Sequence, residues 1–132
     1  MAENNFPRPI KTEKAPAAIG PYSQAIAVNG FLFVSGQIPI DPQTGEMVSG
    51  SIEDKTHCVM KNLKAVAEAA GTDLARVVKT TIFLKDMDDF AVVNAAYSDY
   101  FEGAPPARST IQVAALPKGA DLEIEAVIQL PV

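Results

Sequence analysis

An arginine stands at the start of a predicted strand, directly after a stiff pair of prolines. Pro105 and Pro106 restrict the backbone that leads to Arg108. A guanidinium held at such a point suits a planar carboxylate, because its N–H groups form a two-pronged fork. An arginine in this position also serves as a surface or salt-bridging residue in many proteins. The pattern alone therefore makes Arg108 a candidate anion-binding residue and leaves the structural alternative open.

Two carboxylates alternate with apolar residues in the last predicted strand. Glu123 and Glu125 are two positions apart, so they share the face opposite Leu122, Ile124 and Ala126. They lie roughly 7 Å apart along the strand, which is too far for both to contact the same water molecule. Acidic residues in an alternating strand usually face solvent. The pattern gives the two glutamates equal standing as candidate acid–base groups.

The chain has one histidine and one cysteine, His57 and Cys58, at adjacent positions of a predicted helix. Adjacent helix positions point about 100° apart, so the pair cannot act as base and nucleophile. One His and one Cys also cannot supply the three or four ligands of a usual metal site. Residues 34–37 follow a strand but do not lead into a helix, which argues against a phosphate-binding loop. We therefore expect no metal and no cofactor.

Turn signals define the first elements that position these residues. Residues 1–21 carry four of the ten prolines and little periodicity, which indicates an extended N-terminal arm. Asn29 and Gly30 tolerate positive φ and separate apolar-rich runs at 24–28 and 31–35, so a β-hairpin is predicted. The next segment, to Gly50, holds turn-forming pairs and is predicted as a loop with at most one short strand.

Periodicity predicts the elements of the rest of the chain. Ser51 followed by Asp54 gives a capping-box start, apolar residues recur at helical spacing, and Gly71 supplies the stop. The further elements are a strand at 77–84, a helix at 86–101, and strands at 109–115 and 121–130. The predicted order is β-β-α-β-α-β-β, in one domain that spans residues 1–132.

Two helices can cover only one face of such a sheet, which predicts a two-layer α+β sandwich. Several strands are apolar on both sides. In the strand at 77–84, Val78, Ile82 and Leu84 are predicted to oppose Val77 and Phe83. A sheet that is apolar on both faces but covered on one should bury the second face by self-association. We therefore expect an oligomer.

Composition narrows the class of protein further. The 132 residues are 48% hydrophobic and 20% charged with a net charge of −5, which is typical of a soluble globular domain. The basic residues are scattered, so nucleic-acid binding is not expected. No apolar run is long enough to span a membrane. The lone cysteine and the absence of a secretory or transit pattern favour the cytoplasm, with a mitochondrial pool left open.

Several short segments of the sequence are informative when they are taken together. They lie at 15–24, 34–39, 78–81, 93–94, 106–108 and 124–126. In this order and spacing, the chain from about Lys11 onward resembles the reactive intermediate deaminase (RidA, YjgF-like) family. The resemblance implies a chorismate-mutase-like fold, a homotrimer, and active sites in the clefts between subunits.

The resemblance also implies roles for individual residues. Arg108 looks like the residue that grips a substrate carboxylate, Glu123 like the group that orients and activates water, and Tyr22 like a hydrogen-bonding wall. Further pocket residues would be Ser35, Gly36, Asn94 and Thr110. Thr110 stands where many bacterial members have a cysteine, and we expect it to contribute mainly its backbone. Glu125 would then be a supporting or interface residue.

The implied activity is the hydrolysis of 2-iminobutanoate and 2-iminopropanoate to 2-keto acids and ammonia. Pyridoxal-dependent dehydratases would supply these substrates, since they release enamines that tautomerise to imines. An imine conjugated to a carboxylate is already electrophilic, so catalysis needs position and a water more than a cofactor. Some relatives are described as translation-inhibiting endoribonucleases or chaperone-like holdases. The net charge of −5 and the absence of Trp argue against an RNA-binding groove.

Overall fold

The computed structural model describes residues 6–132, and its centre is one six-stranded sheet. The strands are β1 (Arg8–Ile10), β2 (Ala25–Val28), β3 (Phe31–Gln37), β4 (Val77–Leu84), β5 (Ala107–Gln112) and β6 (Leu122–Gln129). Their spatial order is β1-β2-β3-β6-β4-β5. Only β4 and β5 pair in parallel, and the chain between them therefore has to cross over one face of the sheet.

Two helices cover the same face of this sheet: α1 (Ile52–Ala69) and α2 (Phe90–Ser98). The predicted capping box at the start of α1 is confirmed, because the Ser51 hydroxyl accepts a hydrogen bond from the Asp54 N–H at 3.1 Å. The Asp54 carboxylate accepts one from the Ser51 N–H at 3.3 Å. None of the helices in the described part of the chain is both long and apolar enough to cross a membrane.

The hydrophobic core lies between the helices and the covered face of the sheet. Its most deeply buried large apolar residues are Leu32, Val59, Met60, Leu63, Val66, Ile82, Leu84, Val93, Leu122, Ile124 and Ile128. In β6 the alternation is strict, with every second side chain buried, as the sequence pattern predicts. The predicted two-layer α+β architecture is confirmed.

The opposite face of the sheet carries exposed apolar side chains and has no covering element among residues 6–132. Phe33 on β3 is 47% exposed, and Ile111 on β5 is 45% exposed. Phe83 and Val127, which alternate with core residues on β4 and β6, are only partly buried. We call this surface the open face. The sequence predicts that this face is buried by self-association.

The N-terminal arm contains a strand that the sequence pattern missed. Residues Arg8–Ile10 form β1, so the observed order begins with three strands instead of two. Pro9 in the middle of the strand hides it, since proline cannot donate to a sheet ladder, but an edge strand tolerates one. Residues 1–5 of the arm lie outside the described residues. The assignment of a single domain to residues 1–132 stays a prediction.

Two predicted elements have different bounds in the structure. The helix predicted at 86–101 is shorter, because Met87–Asp89 forms a 3-10 turn in which the Asp86 carboxylate accepts a hydrogen bond from the Asp88 N–H. The strand predicted at 109–115 starts earlier and ends earlier, because it pairs only where β4 offers a partner.

One side-chain direction in β4 is also corrected. The pairing of β4 with β6 shifts register between Val77 and Lys79. This bulge turns Val77 into the core, where it is 8% exposed, and leaves Val78 42% exposed. Strict alternation had placed Val78 on the same face as Ile82 and Leu84. The extra residue of the bulge is the physical reason for the difference.

Candidate active site

A cleft of about 600 Å³ opens on the side of the sheet that the helices do not cover. Four of the residues that the sequence predicts for a site line it together: Tyr22, Ser35, Gly36 and Glu123. Glu125 lines the same cleft, as expected for two glutamates that share one face of β6. We call this group the carboxylate cleft.

The Glu123 carboxylate packs directly against the backbone of Gly36. The pairing of β3 with β6 shifts register between Val34 and Gln37, and Gly36 lies within this bulge. A Cβ at Gly36 would lie 2.7 Å from Glu123 Cδ, so any larger residue would collide with the carboxylate. Glycine at position 36 therefore lets the Glu123 carboxylate approach the strand, and a larger residue would have to displace that side chain.

Burial raises the pKa of Glu123 above its ordinary value, and repulsion from Glu125 raises it further. Both effects disfavour the ionised form. A carboxyl whose pKa is shifted towards neutrality exchanges protons more readily at physiological pH than an ordinary surface glutamate. The environment of Glu123 therefore suits a group that both accepts and returns a proton.

A buried glutamine fastens the segment that carries Tyr22 to the sheet. The side-chain amide of Gln24 donates to the carbonyl oxygens of Thr12 and Pro16 at 3.0 and 2.8 Å, and its Oε1 accepts from the Thr12 N–H at 2.7 Å. Tyr22 and Ile19 are 53% and 78% exposed and line the carboxylate cleft. Sequence reasoning missed Gln24, because its partners are backbone groups that no residue pattern reveals.

Ser35 already uses its hydroxyl proton within the chain. Its Oγ donates to the carbonyl oxygen of Ser23 at 2.6 Å, and its backbone N–H donates to the Gln24 carbonyl. Ser35 can therefore offer a ligand only the lone pairs of its oxygen unless this bond is broken. Its main contribution in the single chain is to hold the start of β2 against β3.

Arg108 lies in a second cleft, of about 420 Å³, between α2 and the start of β5. Its Nη1 donates a hydrogen bond to the Asn94 Oδ1 at 2.6 Å. The Cζ atom lies 5.5 Å from the ring centroid of Phe90 and 5.3 Å from that of Tyr97. No carboxylate within residues 6–132 forms a salt bridge with Arg108. We call this group the arginine cleft.

The two clefts face opposite sides of the sheet. Arg108 pairs with Thr80, whose buried hydroxyl contacts Tyr97 of α2, so Arg108 lies on the face that the helices cover. Glu123 pairs with Phe83 and lies on the open face. One small substrate cannot contact Arg108 and Glu123 of the same chain, because the sheet separates them. The predicted site residues are therefore brought together in two groups and not in one.

Thr110 follows Arg108 on β5 and pairs with the core residue Ile82, so it lies on the helix-covered face. Its hydroxyl oxygen is buried and has no hydrogen-bond partner among the described residues. Because the oxygen is covered, it cannot donate to a ligand in this arrangement. The contribution of Thr110 through its backbone stays a prediction.

His57 and Cys58 contact different parts of the chain. His57 Nδ1 lies 2.8 Å from the Tyr100 hydroxyl, and Cys58 Sγ donates to the Ile40 carbonyl oxygen at 3.4 Å. Burial raises the pKa of the Cys58 thiol, and Asp41 raises it further. A thiol with a raised pKa is a poor nucleophile. Within the described residues no three His, Cys, Asp or Glu side chains are grouped to hold a metal ion.

The sequence and the fold both match one family of known proteins. The family profile of endoribonuclease L-PSP matches residues 12–130. The chain belongs to this family, which is the RidA/YjgF family that the sequence resembles.

Two relatives show how similar the family members are. The RutC family protein PH0854 of Pyrococcus horikoshii is 55% identical over 118 residues, 89% of this chain and 94% of its own. The 2-iminobutanoate/2-iminopropanoate deaminase of Mus musculus is 51% identical over 118 residues, 89% of this chain and 87% of its own.

Solved structures share the fold closely. YyfA, a Rid-family protein of Yersinia pestis, superposes with a TM-score of 0.93 at 52% identity, over 95% of this chain and all of its own. TdcF of E. coli, solved with bound serine, has a TM-score of 0.88 at 41% identity, over 94% of this chain and 99% of its own. Both solved structures are thus covered almost over their whole length by the fold of this chain.

Proposed function

We propose that this chain is a deaminase that hydrolyses 2-iminobutanoate and 2-iminopropanoate to the 2-keto acids and ammonia. Two observations carry the proposal. Arg108 has no carboxylate partner among residues 6–132, and burial raises the pKa of the half-buried Glu123. A substrate with a carboxylate next to an electrophilic C=N bond needs these two groups. The mouse relative, at 51% identity, carries the name of this activity.

A complete site requires a second copy of the chain. The arginine cleft and the carboxylate cleft lie on opposite sides of the sheet, so the arginine cleft of one subunit has to meet the carboxylate cleft of the next. The exposed side chains of Phe33 and Ile111 give the open face the apolar surface that such an interface buries. We propose a homotrimer in which each pair of neighbours forms one site.

In this site Arg108 binds the substrate carboxylate through two parallel N–H···O bonds, and Asn94 orients the guanidinium. Glu123 accepts a proton from the attacking water while the oxygen of that water bonds to the imine carbon. Glu123 then returns the proton to the imine nitrogen. A second transfer from the new hydroxyl to the amine lets the C–N bond break, which leaves the keto acid and ammonia. Tyr22, Ser35, Gly36 and Thr110 shape the pocket that holds the substrate.

We propose that pyridoxal-dependent dehydratases supply the substrate. Enamines and imines of short 2-keto acids form when a pyridoxal-dependent dehydratase removes water from a hydroxyl amino acid. They are reactive, so an enzyme that hydrolyses them limits damage to other cell components. We propose that the protein acts in the cytoplasm, because its lone cysteine cannot form an internal disulfide.

The test is to generate 2-iminobutanoate and 2-iminopropanoate in situ and to follow their decay with and without the protein. We expect acceleration by the wild-type chain and loss of it in Arg108→Lys, because an ammonium cannot form the two-pronged contact. Equal decay with and without protein would refute the proposal. Degradation of RNA that disappears in the same variant would instead support a ribonuclease, and suppression of aggregation that persists in it would support a holdase.

A further inference from the structure

Helix α2 presents three side chains to the Arg108 guanidinium. Phe90, Asn94 and Tyr97 are spaced i, i+4 and i+7, which places them on one face of the helix. The two aromatic rings lie 5.5 and 5.3 Å from Cζ of Arg108, and Asn94 accepts its hydrogen bond. We call Phe90 and Tyr97 the aromatic clamp.

Tyr97 of the aromatic clamp is itself held in place. Its hydroxyl lies 2.6 Å from Thr80 Oγ1, and both residues are buried, at 3% and 1% exposure. Its ring packs against Phe101 at a centroid distance of 4.8 Å. Burial raises the pKa of the Tyr97 hydroxyl, so it carries no negative charge that would pair with Arg108. Tyr97 therefore contacts the guanidinium as a fixed neutral ring.

We propose that Phe90 and Tyr97 are positioning residues that hold Arg108 ready for a carboxylate and thereby set the preference for carboxylate-bearing ligands over neutral ones. The proposal rests on the function proposed above, in which Arg108 binds the substrate carboxylate. It adds residues that act through Arg108 and do not themselves take part in the reaction.

The physical reason lies in the flexibility of arginine. A free arginine side chain samples many rotamers, and this freedom is lost when it grips a ligand. Aromatic faces attract the guanidinium through their negative quadrupole, so contact with two rings restricts it before the ligand arrives. Asn94 occupies one of the five guanidinium N–H donors, which leaves enough donors for a two-pronged carboxylate contact.

The experiment compares two probes of nearly the same shape, one with a charged carboxylate and one with a neutral amide. 2-Oxobutanoate carries the carboxylate of the expected product, and 2-oxobutanamide replaces it with a neutral amide. Dissociation constants of both probes are measured by calorimetry for the full-length wild-type chain, Phe90→Leu, Phe90→Met and Phe90→Tyr. Phe6→Leu is a matched control, because Phe6 is 82% exposed and precedes the strand at the sheet edge opposite β5.

We expect Phe90→Leu and Phe90→Met to weaken binding of 2-oxobutanoate about 3- to 30-fold, the range of a cation–π contact. Binding of 2-oxobutanamide should change by less than about twofold. Phe90→Tyr, which keeps the ring face, should restore the wild-type ratio of the two constants, and Phe6→Leu should leave it unchanged.

Two results would overturn the proposal. One is an equal loss of affinity for both probes in Phe90→Leu and Phe90→Met, which would mean that Phe90 only supports the shape of the cleft. The other is wild-type affinity for 2-oxobutanoate in both variants. The ratio of the two dissociation constants is measured without turnover. A wild-type chain that binds 2-oxobutanoate but fails to hydrolyse imines would therefore refute the deaminase function without refuting the role of the aromatic clamp.

Discussion

Replacing Gly36 with alanine tests whether the position of the Glu123 carboxylate controls turnover. The added Cβ would lie 2.7 Å from Glu123 Cδ and 2.9 Å from Cγ, whereas ordinary contacts begin at 3.4 Å. The carboxylate therefore has to move by about 1 Å, a displacement that is enough to cost roughly 10²-fold in rate. We expect Gly36→Ala to lower kcat for imine hydrolysis by about two orders of magnitude.

The backbone should tolerate this substitution. Gly36 does not have a positive φ, unlike the other seven glycines of the chain, so alanine adds no strain in the dihedral angles. Its cost is local overpacking, typically about 1–3 kcal/mol, and the flexible end of Glu123 can relieve part of it. Thermal unfolding and sedimentation should show a folded protein in the same oligomeric state as the wild type.

The assay compares imine decay for the wild type, Gly36→Ala, Glu123→Gln and the double variant. If Gly36→Ala acts by displacing the carboxylate, adding it to Glu123→Gln should cause little further loss, because both changes remove the same function. Two outcomes would contradict the reasoning: wild-type turnover in Gly36→Ala, or losses that multiply in the double variant. The second would show that Gly36 contributes separately from Glu123.

Four further predictions follow from the described contacts. Glu123→Gln should lower the rate about 10²–10⁴-fold. The stability of this variant at neutral pH should equal or exceed that of the wild type, because ionisation of Glu123, whose pKa is raised in the folded state, lowers the stability of the wild type as pH rises through that pKa. An inactive Glu125→Gln beside an active Glu123→Gln would assign the catalytic role to Glu125. The rate of imine hydrolysis should fall on acidification at a pH above the ordinary pKa of a glutamate. In Glu125→Gln this fall should move to lower pH, because the repulsion between the two carboxylates is removed. An unshifted pH–rate profile would show that Glu125 does not influence Glu123. Thr110→Val removes a buried hydroxyl that has no hydrogen-bond partner among residues 6–132, so thermal unfolding should show unchanged or increased stability with activity retained. A large loss of activity would assign the hydroxyl a role. Phe33→Asp places a charge on the open face, so sedimentation should show dissociation of the proposed trimer, with loss of activity. An oligomer that stays intact in this variant would place the interface elsewhere.

The sequence predicts those parts of the fold that depend on local signals. The hairpin at Asn29 and Gly30 and the capping box at Ser51 form as expected, because turn and cap residues act on backbone groups only a few positions away. Strand β4 has its predicted bounds, and the alternation of β6 places both glutamates on one face. The family and the identity of the candidate residues also follow from short segments, since these are properties of residue type and order.

Strand β1 and the bulge at Val77 could not be predicted in this way. Pro9 is compatible with a strand only because β1 is an edge strand, and position within a sheet is a property of the whole topology. The bulge depends on how β4 meets β6, which lies far along the chain. A periodic pattern carries no information about either.

Only the tertiary structure shows that Arg108 and Glu123 lie on opposite faces of the sheet, in two incomplete clefts. The face of a residue on β5 or β6 depends on the register of each strand against β4, and register is set by contacts between distant segments. The contact of Gly36 with Glu123 likewise arises from a bulge between two strands. Residue types determine which chemistry is available, but strand pairing decides which groups one substrate can reach, because pairing is a non-local property of the folded chain.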